Sequence, residues 1–158
     1  MILKTTCGTE FEINDEDYCL FPIGCKFSLN KTGITYWNKI LKKNFSVSRV
    51  VMRIPEDNGM DVDHWDRNLL NTKKVNLRIC TRSENCANKR IQKNNTSGYK
   101  GVTFDKRRKY WVSRIKKDRI YIHIGVFKDK ILAALAYDDK AIELFGKYSS
   151  LNFPLYGA

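Results

Sequence analysis

The chain has 158 residues, of which 42% are hydrophobic and 12% aromatic, so it can bury a real core as one ordinary domain or two small ones. Lys and Arg number 29 against 17 Asp and Glu, and the net charge of +12 favours a polyanionic partner over mere solubility. The cysteines at 7, 19, 25, 80 and 86 are odd in number and form no Cys-x-x-Cys pair, and neither a leader-like start nor a membrane-length apolar run is present, so a disulfide framework and a membrane role are excluded and a soluble intracellular protein is expected.

Residues 1–47 read as short strands at Lys4-Thr5-Thr6, Glu10-Phe11-Glu12-Ile13, Lys26-Phe27-Ser28-Leu29 and Ile34-Thr35-Tyr36-Trp37. The last two are joined by the turn Asn30-Lys31-Thr32-Gly33, and apolar–polar alternation predicts a small half-buried sheet. In residues 48–90, Val50-Val51-Met52 is apolar enough for a strand, and Asp57-Asn58-Gly59 signals a turn. Val62 and Trp65 flank Asp63-His64 on a second short strand; residues 66–76 form a polar loop, and Leu77 to Ile79 return to the core. Thr81-Arg82-Ser83-Glu84 is a capping box that opens a helix with Asn85 in its first turn and Lys89-Arg90 at its end. Residues 91–98 are polar and read as a linker.

Residues 99–158 form a second module with strands at Tyr99–Phe104, Tyr110–Lys116 and Arg119–Ile124, joined by basic turns at 105–109 and 117–118. Trp111, Ser113 and Ile115 share one strand face, while Val112, Arg114 and Lys116 share the other. In the next strand Ile120, Ile122 and Ile124 alternate with Arg119, Tyr121 and His123. The period then changes, and a helix is predicted over Lys130–Phe145, with Ile131, Ala134, Leu135, Ile142 and Phe145 near one face and Gly146 at its end. The alanines at 133, 134, 136 and 141 would let that helix lie close against the sheet. Charge is unevenly spread: residues 1–21 carry −4, residues 22–60 carry +5, residues 61–90 carry +3 and residues 91–158 carry +8. The last third is the part expected to face phosphate.

The chemistry-bearing stretch is Asp61-Val62-Asp63-His64, followed by Asn76 and Asn85. Phosphodiester hydrolysis needs a water, a proton acceptor and positive charge near the reacting phosphorus. A histidine near its ordinary pKa accepts a proton at neutral pH. A carboxylate plus an amide oxygen can hold Mg²⁺, which prefers oxygen ligands and keeps waters that a substrate can displace. His64 is therefore the candidate base, and Asp63 and Asn85 are the candidate metal ligands. An Asp-His pair alone is more often a surface hydrogen bond; the combination carries the reading.

The run Val62-Asp63-His64-Trp65-Asp66-Arg67-Asn68-Leu69-Leu70-Asn71-Thr72-Lys73-Lys74-Val75-Asn76-Leu77-Arg78, with Cys80-Thr81-Arg82-Ser83-Glu84-Asn85, resembles the core of HNH endonucleases of phage and intron homing type. The resemblance implies a ββα-metal fold over residues 48–90, with His64 as base, Asp63 and Asn85 on one Mg²⁺ (or Mn²⁺) ion per site, and Asn76 bracing the loop that orients the base. Ser48, Arg67 and Thr72 stand where relatives usually carry a histidine, a glycine and an asparagine.

Ser97-Gly98-Tyr99-Lys100-Gly101-Val102, Ile124-Gly125-Val126-Phe127, Ala133-Ala134-Leu135-Ala136-Tyr137-Asp138 and Leu151-Asn152-Phe153-Pro154 resemble the ethylene-response-factor DNA-binding domain of plants. That resemblance implies a three-stranded antiparallel sheet on one helix, with Lys100, Thr103, Arg107, Arg114, Lys116, Tyr121 and His123 facing DNA. The basic sheet face opposite an apolar one points the same way from the residues alone.

The expectation is thus an α+β protein: an N-terminal β segment over 1–47, the nuclease core, the linker and the DNA reader. Its expected activity is site-preferring, metal-dependent cleavage of double-stranded DNA in the manner of a homing endonuclease, nicking as a monomer, whereas a dimer would permit cutting both strands. The alternative is a non-catalytic DNA-binding regulator that uses residues 99–154.

Overall fold

The computed structural model describes residues 1–55 and 58–154. Asp57 of the expected turn and the last four residues of the expected second module lie outside the described residues. The chain divides into two compact units, the first ending at Thr81 and the second starting at Arg82.

In the first unit, β1 (Ile2–Lys4) pairs antiparallel with β2 (Glu10–Glu12). A 3₁₀ turn over Asp15–Leu20, which sequence reading missed, leads to β3 (Phe27–Asn30), β4 (Gly33–Asn38) and β5 (Lys43–Ser46), an antiparallel sheet with β4 in the middle. The turn at 30–33 is held by Asn30 Oδ1, which accepts from the Thr32 N–H at 2.9 Å. The next element corrects the sequence reading. Val50-Val51-Met52 is not a strand; α1 covers Val47–Val51. Val47 and Val51, four apart, are both fully buried, so the core holds a β-branched run in a helix against its local preference. β6 (Asp61–His64) and β7 (Leu77–Cys80) then form an antiparallel pair.

The first core gathers Phe11, Phe21, Phe27, Ile34, Tyr36, Val47, Val51 and Leu77. Phe21 meets Phe27 and Tyr36 edge-on, at centroid distances of 5.5 and 5.3 Å. Because this core takes residues from both sides of the boundary drawn at residue 47, the N-terminal β segment and the strands bearing Asp63 and His64 fold as one body. Polar contacts reinforce it. Thr72 is buried and donates its hydroxyl to Glu12 O at 2.6 Å, and Lys74 Nζ lies 2.6 Å from the buried carboxylate of Asp17.

In the second unit, α2 (Arg82–Asn88) precedes β8 (Val102–Asp105), β9 (Tyr110–Lys117) and β10 (Ile120–Phe127), an antiparallel sheet with β9 central, and α3 (Lys130–Phe145) packs on it. Asp129 caps α3 by accepting from the Ile131 N–H at 2.6 Å. The buried face of α3 is Ala133, Ala134, Tyr137, Ala141 and Phe145; Ile131, Leu135 and Ile142, expected inward, are more than 40% exposed. Ala133, Ala134 and Ala141 lie against the sheet as expected, with the Tyr137 and Phe145 rings filling the space beside them, while the branched aliphatics face outward. Ile122 and Ile124 pack inward as expected, but Ile120 is 68% exposed at the strand start.

The expected linker is partly fastened down. Ser97 is buried and donates to Val102 O at 2.8 Å, and Asn95 Nδ2 donates to Tyr99 O at 2.9 Å. The C-terminal stretch is clamped by Asn152, whose amide oxygen accepts from the Lys100 N–H at 2.6 Å and whose Nδ2 donates to the buried Asp138 at 3.0 Å. Among the described residues, no helix is long and apolar enough to cross a membrane.

Candidate active site

β6 ends at His64, and both Asp63 and His64 are only 6% exposed. Neighbours on a strand point to opposite sides, so the two side chains are buried in different surroundings. Asp63 stands opposite Arg78 in the β6–β7 register. The guanidinium reaches across and places Nε at 2.7 Å and Nη2 at 2.6 Å from Asp63 Oδ2. The same guanidinium stacks over the Trp65 ring at 4.7 Å. Sequence reading did not single out Arg78, although an acid and a base facing each other across a short antiparallel pair is a recognisable signal.

The loop after His64 is organised around Asn76. Its Nδ2 donates to Asp66 Oδ1 at 2.9 Å and to Asn71 O at 2.8 Å, while its Oδ1 accepts from the Asp66 N–H at 3.0 Å. Its backbone carbonyl accepts from the Trp65 N–H at 2.8 Å. One buried amide thus ties the residues directly after His64 to the start of β7. Asp66 is a second residue that sequence reading passed over. It accepts from the Asn68 N–H at 2.7 Å and from Asn71 Nδ2 at 2.9 Å. Arg67 adopts φ 61, the left-handed region, and its N–H donates to His64 O at 2.9 Å. The outer side of the loop is gripped by β2, where Glu12 N–H donates to Leu70 O at 2.7 Å and Thr72 N–H to Glu12 O at 2.8 Å.

Burial pushes the His64 imidazole below its ordinary pKa, although Asp63 and Asp66 pull it the other way. Neutral imidazole is therefore the dominant form at neutral pH, which is the form able to take a proton. Burial also opposes ionisation of Asp66, but the Asn68 N–H and the amides of Asn71 and Asn76 outweigh it and hold this carboxyl below its usual range.

Arg49, which precedes the motif, fastens the approach to β6. Its guanidinium donates to Met60 O at 2.6 Å and to Asn58 Oδ1 at 2.9 Å, and also to Pro55 O. Asn85 lies on α2, within the second unit. Among the described residues, no group of three or more His, Cys, Asp or Glu is placed to hold a metal.

The second unit presents the residues expected at DNA unevenly. Thr103, Arg107, Arg114, Tyr121 and His123 are exposed, as is Lys116. The register sets Tyr121 beside Lys116 and His123 beside Arg114. Both cations lean on the Tyr121 ring, Arg114 at 5.2 Å and Lys116 at 4.8 Å from its centroid. Lys100 differs. Its ammonium donates to Lys89 O at 2.8 Å and to Ala87 O, satisfying carbonyls at the end of α2 instead of standing out from the sheet.

Residues 53–87 match the family model of the HNH endonuclease. The chain is also similar to Protein 3.8 of Escherichia phage T7, at 42% identity over 57 residues, covering 36% of this chain and 47% of that protein. A second similarity is to the ethylene-responsive transcription factor ERF024 of Arabidopsis thaliana, at 41% identity over 58 residues, covering 35% of this chain and 32% of that protein. The chain therefore spans about half and about a third of the lengths of these two relatives. No solved structure matches it.

Proposed function

We propose that this protein is a divalent-metal-dependent endonuclease of homing type that nicks duplex DNA at a preferred site. The observation that carries the reading is a buried histidine kept neutral on the HNH segment, beside a carboxylate and followed by an amide-braced loop. Asp63 and Asn85 are the residues proposed to supply oxygen ligands to Mg²⁺ or Mn²⁺. Their donors, a carboxylate and an amide oxygen, suit a hard cation that retains waters, and they do not make the closed nitrogen and sulfur cage of a structural zinc site. When bound, the ion supplies positive charge to the phosphate oxygens and to the leaving oxygen.

The chain's own residues do the rest. His64 takes the proton of the attacking water as its oxygen bonds to phosphorus and the ester oxygen departs. Arg78 holds Asp63 at a fixed place on β6. Asn76 fixes the loop that follows the base, so the imidazole enters the reaction with little freedom left to lose. The exposed Arg114, Lys116, Tyr121 and His123 of the second unit are proposed to lie on DNA together with Thr103 and Arg107; Lys100 acts there as a helix cap. A second reading, a non-catalytic DNA-binding protein, draws on the similarity to a transcription factor.

A supercoiled plasmid library incubated with Mg²⁺ or with EDTA separates the two. Metal-dependent nicking is expected, and His64→Ala should slow it by at least about a hundredfold while leaving DNA affinity nearly intact. Binding without any nicking in Mg²⁺ or Mn²⁺ would leave the regulator reading. Equal loss of binding and cleavage in His64→Ala would make this histidine structural.

A further inference from the structure

The hairpin between β4 and β5 closes through four residues, Lys39-Ile40-Leu41-Lys42, that the proposed chemistry does not use. It is a built turn. Asn38 pairs with Lys43 at its mouth, and Asn38 Oδ1 accepts from the N–H groups of Ile40 and Leu41, both at 3.0 Å. Lys42 closes it at φ 48. The residues so fixed are nevertheless apolar and stand in solvent: Ile40 is 90% exposed and Leu41 59%. Trp37 adds a half-exposed indole just below.

The surroundings select the occupant. Lys39, Lys42 and Lys43 are exposed around the apex, and Lys26 lies one residue before the strand that pairs with Tyr36. No acidic residue occurs between Asp17 and Glu56. An apolar point flanked along its own hairpin by cations and by no acid complements a polyanion that also offers an apolar interior. Two aliphatic side chains are far too little for a stable protein–protein interface, which takes about 800 Å² from each partner. They are enough for a wedge, because DNA-bending proteins insert one or two aliphatic residues between base steps.

We propose that Ile40 and Leu41 enter the minor groove of duplex DNA and partly unstack one base step, with Lys39, Lys42 and Lys43 on the flanking phosphates. The proposal rests on the reading of this chain as a DNA-binding nuclease and adds a source of site preference to it. Flexible pyrimidine–purine steps open most easily, so a wedge favours them without reading a base edge.

The test uses the full chain in EDTA with short duplexes carrying TA or CA steps and a fluorescent donor and acceptor at their ends. Binding by the unsubstituted protein should bend the duplex and raise energy transfer. The Ile40→Ser/Leu41→Ser double variant, altered only at exposed positions and expected to keep its melting temperature, should bind roughly tenfold more weakly and leave the duplex straight. Its salt dependence should not change, because no cation is removed, whereas Lys39→Gln/Lys42→Gln should lower the salt slope by about two and still bend. A serine double variant that bends DNA like the parent overturns the wedge while the nuclease reading stands. If the parent binds no duplex even at low salt, the DNA-binding reading falls and the wedge with it. Binding to phosphatidylserine vesicles that the serine variant loses, with DNA bending unchanged, overturns the wedge and assigns the tip to lipid.

Discussion

Arg67 shows what one residue costs. It follows Asp66 in the braced loop with φ 61, a conformation that costs an L-residue with a side chain about 1–2 kcal/mol relative to glycine. A glycine, which the family resemblance leads one to expect here, would adopt this conformation without that cost. Arg67→Gly and Arg67→Ala both remove the side chain and its contacts, but only glycine relieves the backbone. After about 0.5–1 kcal/mol for glycine's greater unfolded freedom, Arg67→Gly should still be more stable than Arg67→Ala by roughly 0.5–1 kcal/mol. Urea denaturation of the two variants checks this, and equal stability would mean that the loop relaxes around residue 67. His64 makes a pH prediction. Burial lowers its folded pKa below the ordinary 6.5, so below that pH the unfolded chain binds the proton more readily. The histidine's contribution should therefore be fully retained above the ordinary value and lost as pH falls through 6.5 toward the folded pKa, at no more than about 1.4 kcal/mol per pH unit. Denaturation of the parent and of His64→Asn in EDTA, compared across that window, should show the parent losing stability relative to the variant on acidification. A difference independent of pH would mean that the imidazole titrates alike folded and unfolded.

At the scale of elements, Gly101 fixes how α3 meets the sheet. Its φ is +75, and a Cβ added there would fall 2.0 Å from the Tyr137 ring and 2.7 Å from Arg114 O. Gly98 has a similar φ of +79 with nothing within 4 Å of an added Cβ. The pair separates backbone strain from collision. Gly98→Ala should cost about 1 kcal/mol, and Gly101→Ala about 2–4 kcal/mol or outright loss of the second unit's cooperative unfolding. Equal costs in thermal denaturation would mean that Tyr137 swings aside freely. The same helix marks what sequence could and could not tell. Its bounds were legible, because the change of period and Gly146 are local signals. Its buried face was legible in part: Ala134, Phe145 and the close approach of the alanines were read, but Ile131, Leu135 and Ile142 turn outward, because which residues flank the alanines is set by the packing at Gly101 and Tyr137. α1 failed in the same direction, since Val47 and Val51 are held in a helix by a core whose other members lie far away in sequence. At the candidate site, Asp63-His64 stood out as an acid beside one of only two histidines, and the bracing by Asn76, visible in its loop contacts, was expected only through the family resemblance. Arg78 and Asp66 did not stand out, because their meaning comes from strand register and a folded loop.

Across the whole molecule, charge and chemistry are divided between the units. Up to Thr81 there are twelve basic and ten acidic residues, and from Arg82 on there are seventeen basic and seven acidic, so the second unit carries +10 of the total of +12. The candidate base and its loop belong to the nearly balanced unit. This arrangement predicts that affinity and cleavage respond to different substitutions. Each lysine or arginine that neutralises a phosphate releases counterions and steepens the fall of affinity with salt by about one in the log–log slope. Arg114→Ala with Lys116→Ala should therefore flatten the slope by about two, while cleavage at saturating DNA stays near the parent's rate. Tyr121→Ala is the control, because it removes the ring on which both cations rest and keeps both charges. Its slope should stay unchanged even where its affinity drops. Titrations of a labelled duplex at several salt concentrations, beside nicking assays of the same proteins, measure both quantities. If the double variant keeps the parent's slope, the exposed face of the β8–β10 sheet does not carry the phosphate contacts. If it keeps the slope but loses nicking at saturation, these two residues serve the reaction, and the division of labour between the units is wrong.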